Sequence, residues 1–380
     1  DRFDGKIGSK GLVVTYQGLQ HSYTSLAHVI RNYRVMIISD EIHHCASGRY
    51  SPSNQWGELL ASLISEGSPL TLTMSGTPWR SDNTKIALQN YLGEPEELHT
   101  DYIYGLSEAI KDRVCRKPNL ILIDNSKIEV REGNQTHKFC SIRHAVEADK
   151  LKYSKLITNK VALEYLIKCA HHELSRIRLE SPDAAGLVVA SSIEQANRIS
   201  QYIKNKFNEH VTVVSYEHAG AHEKIRDFQK SKSRWIVSIG MVSEGTDIPR
   251  LQVCAYLSNI RTELYYRQVL GRILRIHKKF DEQCSLIAFA EPKITEYSER
   301  INQDLPSDSM KIKFFSEKAQ VHSNSSNYRT DEFVDKGYIV DLKERENLIK
   351  SGLKGVSNEI YHSVELLFGK DYYRSRILSL

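Results

Sequence analysis

The sequence predicts two α/β domains in tandem, each built on a parallel, doubly wound sheet, and behind them a small, mostly helical C-terminal tail. Three observations predict this fold class. Short runs of consecutive apolar residues, as expected of strands buried on both faces, alternate with longer helical stretches. This alternation occurs twice, on either side of a more polar segment. The 380 residues also suffice for two or three domains with cores of their own.

The first block, residues 1–105, predicts strand, helix, strand, helix and strand. Its apolar runs occupy residues 12–15, 35–39 and 70–74, and its helical stretches occupy residues 20–32 and 56–66. In open parallel sheets, ligands bind at the carboxyl ends of the strands. Functional residues are therefore expected at those ends.

A more polar and more helical segment, residues 106–180, predicts a connector that leads into a long helix and holds a strand-like run at 120–123. A Pro- and Gly-containing break then opens the second block, residues 181–290. Its helix is predicted at 193–207 and its strands at 187–190, 211–214, 235–238, 253–256 and 285–289. Clear strand signals stop in the tail, residues 291–380. There we expect a loop and a helical cap or partner-binding element, with an amphipathic stretch at 358–368.

The composition excludes several classes of protein. No apolar run approaches the roughly 18 residues of a membrane span. The six cysteines are scattered without a CxxC pair, so we expect reduced thiols in the cytoplasm and no structural zinc. The net charge of +5, from 52 basic and 47 acidic residues, permits nucleic-acid binding but hardly argues for it.

The first candidate group is Asp40, Glu41 and His43, directly after the apolar run 35–39. Two adjacent carboxylates at a strand end suit a nucleotide site, because one can hold hydrated Mg²⁺ and the other can deprotonate a water. Most Asp-Glu pairs are solvated loop residues. A buried strand that runs straight into two charges is more telling, since buried charges need partners.

Two loops form the second and third groups. The run Ser-Gly-Thr-Pro-Trp-Arg, residues 75–80, follows the strand at 70–74, and its hydroxyl residues Ser75 and Thr77 can exchange hydrogen-bond partners. The loop after residues 235–238 contains Gly245, which lets the backbone approach a ligand, and Asp247, which can accept from a ribose hydroxyl or a neighbouring arginine. Taken alone, residues 75–80 are better explained as a Gly-Pro turn, and the second segment also fits an ordinary loop.

The fourth group, on a predicted helix, is Gln268, Arg272 and Arg275. Their spacing places the two arginines near one helix face, with Gln268 one turn earlier. Two guanidiniums can neutralise the charge that develops on a transferring phosphoryl group, an effect worth roughly 10³ to 10⁵ in rate. Standing alone, the pair would be better explained as arginines on a solvated helix face.

In this order, on strand ends of two successive blocks, the four groups resemble motifs II, III, V and VI of superfamily 2 helicases of the DExH type. Residues 12–17 and 190–192 resemble the nucleic-acid-contacting segments of the same family, so the resemblance covers residues 11–290. It implies two RecA-like domains, the first incomplete here, and a motor that uses ATP and Mg²⁺. The sequences of residues 75–80 and 244–249 are most similar to those of DNA translocases of the restriction and repair type. This similarity favours DNA over RNA.

The resemblance also implies roles for individual residues. Asp40 would bind Mg²⁺ and Glu41 would be the general base. His43 would couple the ATP site to Gln268 and to the hydroxyl pair Ser75 and Thr77. Gly245 and Asp247 would line the nucleotide. Arg272 and Arg275 would act as arginine fingers, with Gln268 beside them. The nucleic acid would be contacted by Thr15, Tyr16, Gln17, Ser191 and Ser192.

One departure from the family matters. The phosphate-binding motif GxxxxGKS/T is absent, and the glycine- and lysine-rich residues 4–11 have the wrong spacing and precede a strand. We therefore expect an upstream segment or a second chain to complete the first domain. The alternative is a catalytically inactive, helicase-like scaffold that binds nucleic acid or a protein. A metabolic or signalling phosphotransferase with a similar sheet is disfavoured by Gln268, Arg272 and Arg275 in a second α/β block.

Overall fold

The computed structural model divides the chain into two units, Asp1–Tyr104 with Thr262–Arg267 and Gly105–Arg261 with Gln268–Leu380. The α/β fold class predicted from the sequence is confirmed. The structure describes residues 11–46, 55–80, 84–94, 96–132, 134–215, 220–240, 247–276, 283–305, 310–316, 364–368 and 372–379. Within these ranges, no helix is both long enough and apolar enough to cross a membrane.

The first unit places two helices against a small parallel sheet. Its elements are α1 (Leu19–Asn32), β1 (Met36–Ser39), α2 (Gln55–Ser65), β2 (Leu70–Thr73) and a short hairpin of β3 (Tyr91–Leu92) and β4 (Glu97–Leu98). Strands β1 and β2 pair in parallel from Met36 opposite Leu70 to Ser39 opposite Thr73. This register brings the carboxyl ends of both strands, and the residues that follow them, to the same edge.

Two expectations for this unit are wrong. The predicted strand at residues 12–15 is not a strand, and Val13 there is 99% exposed. A β-branched run needs a neighbouring strand to pair with, and the described residues give it none. Strands β1 and β2 were expected to be buried on both faces, yet Ile38 is 59% exposed and Leu70 is 70% exposed.

The second unit begins with α3 (Leu106–Lys111) and is built on an eight-stranded sheet. Its next elements are β5 (Lys117–Asn125), β6 (Ile128–Glu132), β7 (Gln135–Phe139), α4 (Ile142–Glu147), α5 (Tyr153–Thr158), α6 (Lys160–Ile177), β8 (Ala185–Ala190), α7 (Ile193–Phe207), β9 (Val211–Ser215), α8 (Ala221–Lys230), β10 (Trp235–Ile239), β11 (Leu251–Leu257), α9 (Glu263–Leu274), β12 (Gln283–Phe289) and α10 (Pro292–Gln303). Residues 263–267 of α9 belong to the first unit, and the rest of this helix belongs to the second. The tail adds β13 (Met310–Ser316), β14 (Val364–Phe368) and β15 (Tyr372–Ser379).

The order of the large sheet is β13-β15-β5-β12-β11-β8-β10-β9, and the six strands from β5 to β9 are parallel. All residues of β8 and β11 are buried, so both faces of the sheet are covered. Helices α6 and α7 supply much of the cover on one face. Because β10 and β11 flank β8 on opposite sides, the chain reverses its winding there, where ligands bind in open α/β sheets.

Two differences from the sequence-based expectations concern the ends of this unit. The expected connector, residues 106–180, contributes β5 to the sheet, where it pairs with β12, and its run 120–123 is buried. The tail was expected to be mostly helical. Beyond α10, its described elements are strands: β15 pairs with β5, β13 with β15, and β14 with β6, all antiparallel. The expected amphipathic stretch 358–368 contributes β14, and its other residues lie outside the described part of the chain. Unpaired edges of β5 and β6 offer backbone donors and acceptors, and this overrides the local pattern.

Candidate functional site

The adjacent carboxylates of Asp40 and Glu41 follow directly after the end of β1. The carboxylate Oδ1 of Asp40 accepts a hydrogen bond from the backbone N–H of Glu41 at 3.0 Å. Glu41 has φ +50° and ψ +46°, the left-handed region that residues other than glycine rarely adopt. The carbonyl oxygen of Asp40 accepts a hydrogen bond from the Tyr16 hydroxyl at 2.7 Å, so the turn is held from outside the strand.

His43 connects this turn to the loop after β2. Its Nδ1 atom lies 2.7 Å from Ser75 Oγ, 3.4 Å from Thr77 Oγ1 and 3.2 Å from Glu41 Oε2. The His43 side chain is only 2% exposed. Its Nε2 atom is buried and has no hydrogen-bond partner among the described residues. The structure therefore brings together, within one unit, four of the residues that the sequence singled out.

The charge state of Glu41 follows from this arrangement. Its hydrogen bond with His43 is the largest influence and lowers the pKa of the carboxyl below its ordinary value of 4.5. Partial burial acts in the opposite direction, while the electrostatic influence of His43 and His44 and a backbone hydrogen bond from Gly76 lower the pKa further. Glu41 is thus an ionised carboxylate at neutral pH, with half of its side chain exposed. It has the charge that a general base requires.

Sequence reasoning missed one residue of this site and gave another an incomplete role. Arg80 Nη1 donates to the carbonyl oxygen of His43 at 2.6 Å, and its Nε donates to Thr84 Oγ1 at 2.9 Å. Tyr16 is predicted as a nucleic-acid contact. In the structure its hydroxyl donates a hydrogen bond to the carbonyl oxygen of Asp40, and its ring stacks on that of Trp56 at a centroid distance of 6.2 Å. Burial raises the pKa of Tyr16 to about 12, so the hydroxyl remains a donor. A side chain that bonds to a backbone carbonyl leaves no periodic signal in a sequence.

The second unit pairs two further candidates. Arg275 Nη1 donates to the Asp247 carboxylate, which is one of the two partners considered for that aspartate from the sequence. Gln268 and Arg272 lie on α9, one turn apart, and Arg275 follows the last residue of the helix. Gly245 lies outside the described residues. The predicted coupling of His43 to Gln268 stays a prediction.

The predicted nucleic-acid contacts occupy the starts of helices. Thr15 Oγ1 accepts from the backbone N–H of Gly18 at 3.1 Å, and Gln17 is exposed in the turn that follows. Ser192 is the N-cap of α7, and its Oγ accepts from the backbone N–H of Gln195 at 3.1 Å. Ser191 Oγ donates to Gln195 Oε1 at 2.9 Å. These bonds explain why hydroxyl residues stand at these positions, and contact with nucleic acid remains a prediction for them.

Comparison with known proteins adds a domain assignment. Residues 166–277 match the family model of the helicase conserved C-terminal domain. This match begins within α6 and ends just beyond α9, and it includes Ser191, Ser192, Asp247, Gln268 and Arg272.

Several relatives are longer than this chain. An uncharacterized protein of Mycobacterium tuberculosis is 27% identical over 293 residues, which are 75% of this chain and 47% of that protein. The DNA 3'-5' translocase XPB2 of Sulfurisphaera tokodaii is 25% identical over 316 residues, 77% of this chain and 66% of that protein. The chain thus spans about half the length of the curated mycobacterial relatives that it matches.

Among solved structures, a fragment classed as an HsdR subunit of a type I restriction enzyme from Vibrio vulnificus is similar over 74% of this chain and 48% of that chain. The identity is 16% and the TM-score is 0.48. At this TM-score the likeness supports no statement about the fold. The domain match and the translocase relative support one conclusion: residues 166–277 belong to a helicase conserved C-terminal domain, and the chain is similar to superfamily 2 helicases and translocases.

Proposed function

We propose that this protein is an ATP- and Mg²⁺-dependent motor that couples ATP hydrolysis to movement along nucleic acid. The observation that carries the proposal is the network at the end of β1, in which buried His43 contacts both Glu41 and Ser75. An ionised glutamate beside a buried histidine and two hydroxyls is suited to orient and deprotonate a water. The histidine contacts the loop after β2 as well, so a change at one loop alters the hydrogen bonds of the other.

The cofactors fit the side chains present. Asp40 and Glu41 are exposed, adjacent carboxylates at a strand end, and hard oxygen ligands are what hydrated Mg²⁺ prefers. Asp40 would hold the ion, and the ion would neutralise phosphate charge when bound. In the second unit, Arg272 and Arg275 would contact the terminal phosphate of ATP, with Gln268 beside them, and Gly245 and Asp247 would line the nucleotide.

DNA is the proposed track rather than RNA. One relative is named as a DNA translocase, and the sequences of residues 75–80 and 244–249 resemble those of DNA translocases of the restriction and repair type. Thr15, Tyr16, Gln17, Ser191 and Ser192 would contact the strand. Because phosphate contacts dominate such affinity, we expect binding to weaken steeply as the salt concentration rises.

The test is ATP hydrolysis by the natural full-length gene product, measured with no nucleic acid, with duplex DNA, with single-stranded DNA and with RNA. We expect duplex DNA to raise turnover more than RNA does. ATP turnover that none of the three nucleic acids changes would contradict the motor. Nucleic-acid binding without any ATP turnover would instead support an inactive, helicase-like scaffold.

A further inference from the structure

Arg116, which the sequence did not single out, is a fully buried arginine whose guanidinium contacts two separate segments of the second unit. Its side chain is 0% exposed. Nη2 donates to the carbonyl oxygen of Pro249 at 2.8 Å, and Nη1 donates to that of Leu251 at 2.8 Å and that of Ile273 at 2.9 Å. A buried charge is costly unless it is hydrogen-bonded, and these three carbonyls supply charge-assisted bonds.

The backbone around Arg116 extends the same attachment. The N–H of Arg116 donates to the carbonyl oxygen of Leu274 at 2.6 Å, and Cys115 forms an antiparallel bridge with Arg275. The last carbonyls of a helix have no partner inside the helix, and a positive charge there also favours the helix dipole. Residues 115 and 116 together therefore cap the C-terminal end of α9.

The two segments that Arg116 joins carry the paired residues of the candidate site. Asp247 lies two residues before Pro249, and Arg275 follows Leu274 directly. Their side chains form the ion pair described above. One buried guanidinium thus fixes the backbone on both sides of that pair. A planar, rigid donor suits this task better than a flexible ammonium would, because it reaches several carbonyls at once.

We propose that Arg116 is a positioning residue that holds Arg275, paired with Asp247, where the Arg275 guanidinium meets the terminal phosphate of a nucleoside triphosphate. The proposal rests on the function proposed above for Arg275. Contacts to the phosphate charge that develops during transfer affect kcat more than KM, because they are strongest in the transition state. Loss of Arg116 therefore lowers kcat and leaves the KM for ATP nearly unchanged.

The structure offers a matched control. Arg250 is also buried, at 7% exposed, and its Nη2 atom donates to the carbonyl oxygens of Phe228 and Ser233, both at 2.8 Å. Its guanidinium also stacks 4.2 Å from the centroid of the Phe228 ring. Arg250 is thus a second buried arginine bonded to carbonyls, and none of its side-chain bonds described here reaches α9.

The experiment compares Arg116→Met and Arg250→Met in the full-length protein. We expect both substitutions to lower the melting temperature, and only Arg116→Met to lower the kcat of the folded enzyme, by about tenfold or more. Arg116→Lys, which keeps a charge but spans fewer carbonyls, should give an intermediate kcat and serves if the Met variant does not fold. An unchanged kcat in folded Arg116 variants, or an equal loss in both Met variants, would overturn the proposal.

A second readout does not need activity. Amide hydrogen exchange over residues 273–276 should accelerate in Arg116→Met and stay as in the wild type in Arg250→Met, because only the first loses the cap on α9. If the wild type hydrolyses no ATP, the proposed function fails, and the exchange still decides whether Arg116 holds the segment. Unchanged exchange in Arg116→Met would overturn the attachment itself.

Discussion

His43 Nδ1 faces one carboxylate and two hydroxyls, and its hydrogen bond with Glu41 is the largest influence on the pKa of that carboxyl. We expect His43→Phe to raise the pKa of Glu41 toward 4.5, because the hydrogen bond is the largest influence on it. Carboxyl chemical shifts followed by NMR through an acid titration measure this pKa.

The same shift has a consequence for stability at low pH. The pKa of Glu41 in the folded protein lies below that in the unfolded chain, so the carboxylate stabilises the fold above pH 4.5. This contribution is lost as the pH falls through the folded pKa. At neutral pH it is fully present, and the pH dependence of the melting temperature should differ between wild type and Glu41→Gln only in the acid range.

Glu41→Gln also tests the proposed general base. The amide keeps the shape of the side chain but cannot accept a proton, and we expect ATP turnover to fall by roughly 10² to 10⁴-fold. Turnover is measured in the full-length protein with saturating DNA, and Glu58→Gln provides the control on α2. Turnover in Glu41→Gln close to that of the wild type would assign the base elsewhere.

For individual residues, the sequence predicted those that follow strand ends and missed the arginines that donate hydrogen bonds to backbone carbonyls. Glu41, His43, Ser75 and Thr77 follow apolar runs, and the parallel register of β1 and β2 brings them together. Arg80, Arg116 and Arg250 each reach a carbonyl far along the chain, across 37, 133 and 22 residues respectively. No local pattern marks such a contact, so a sequence without a structure cannot reveal it.

Among the elements, β8 and α9 each contain a glycine, and the two glycines differ in the space available to a side chain. A Cβ at Gly186 would lie 2.2 Å from Cζ3 of Trp235, a fully buried ring, whereas a Cβ at Gly271 would meet nothing within 4 Å. We expect Gly186→Ala to destabilise the fold by roughly 1 to 3 kcal/mol through overpacking. Gly271→Ala should instead stabilise it by roughly 0.5 to 1 kcal/mol, because alanine is the better helix former.

Urea denaturation of both variants measures the free energy of unfolding. The two substitutions add the same methyl group, so each is the other's control. A similar change in both would show that β8 can move away from Trp235, or that α9 does not retain its helical backbone at residue 271.

The elements also show where sequence patterns succeed. The helices at residues 20–32, 56–66 and 193–207 and the five strands of the second block form within a few residues of their predicted bounds. Their apolar residues face a partner that the same block supplies. The strands of the tail were not predicted because they pair with strands that are distant in sequence. Strand β15 pairs with β5, β14 pairs with β6, and β13 pairs with β15.

Over the whole molecule, the first unit is the less buried part. Register pairs Met36 with Leu70 and Ile38 with Leu72, and all four side chains are exposed on this small sheet. Contiguous exposed apolar residues of this kind promote association. We expect the double substitution Ile38→Thr with Leu70→Thr to reduce self-association of the 380-residue chain and its binding of a hydrophobic dye.

Sedimentation velocity and dye fluorescence measure both effects. Leu179→Thr is the control, because Leu179 is 83% exposed just beyond α6 in the second unit. Should Leu179→Thr reduce association as much as the double substitution, the sheet of the first unit would not be its cause.

The left-handed backbone of Glu41 has a consequence for protein engineering. Such a conformation costs a residue other than glycine about 1 to 3 kcal/mol, which asparagine or glycine would largely recover. Selection of variants for heat resistance alone would therefore favour replacement of Glu41, and would discard the carboxylate on which the proposed hydrolysis depends. A library screened for stability should hold this position fixed, or be screened for turnover in parallel.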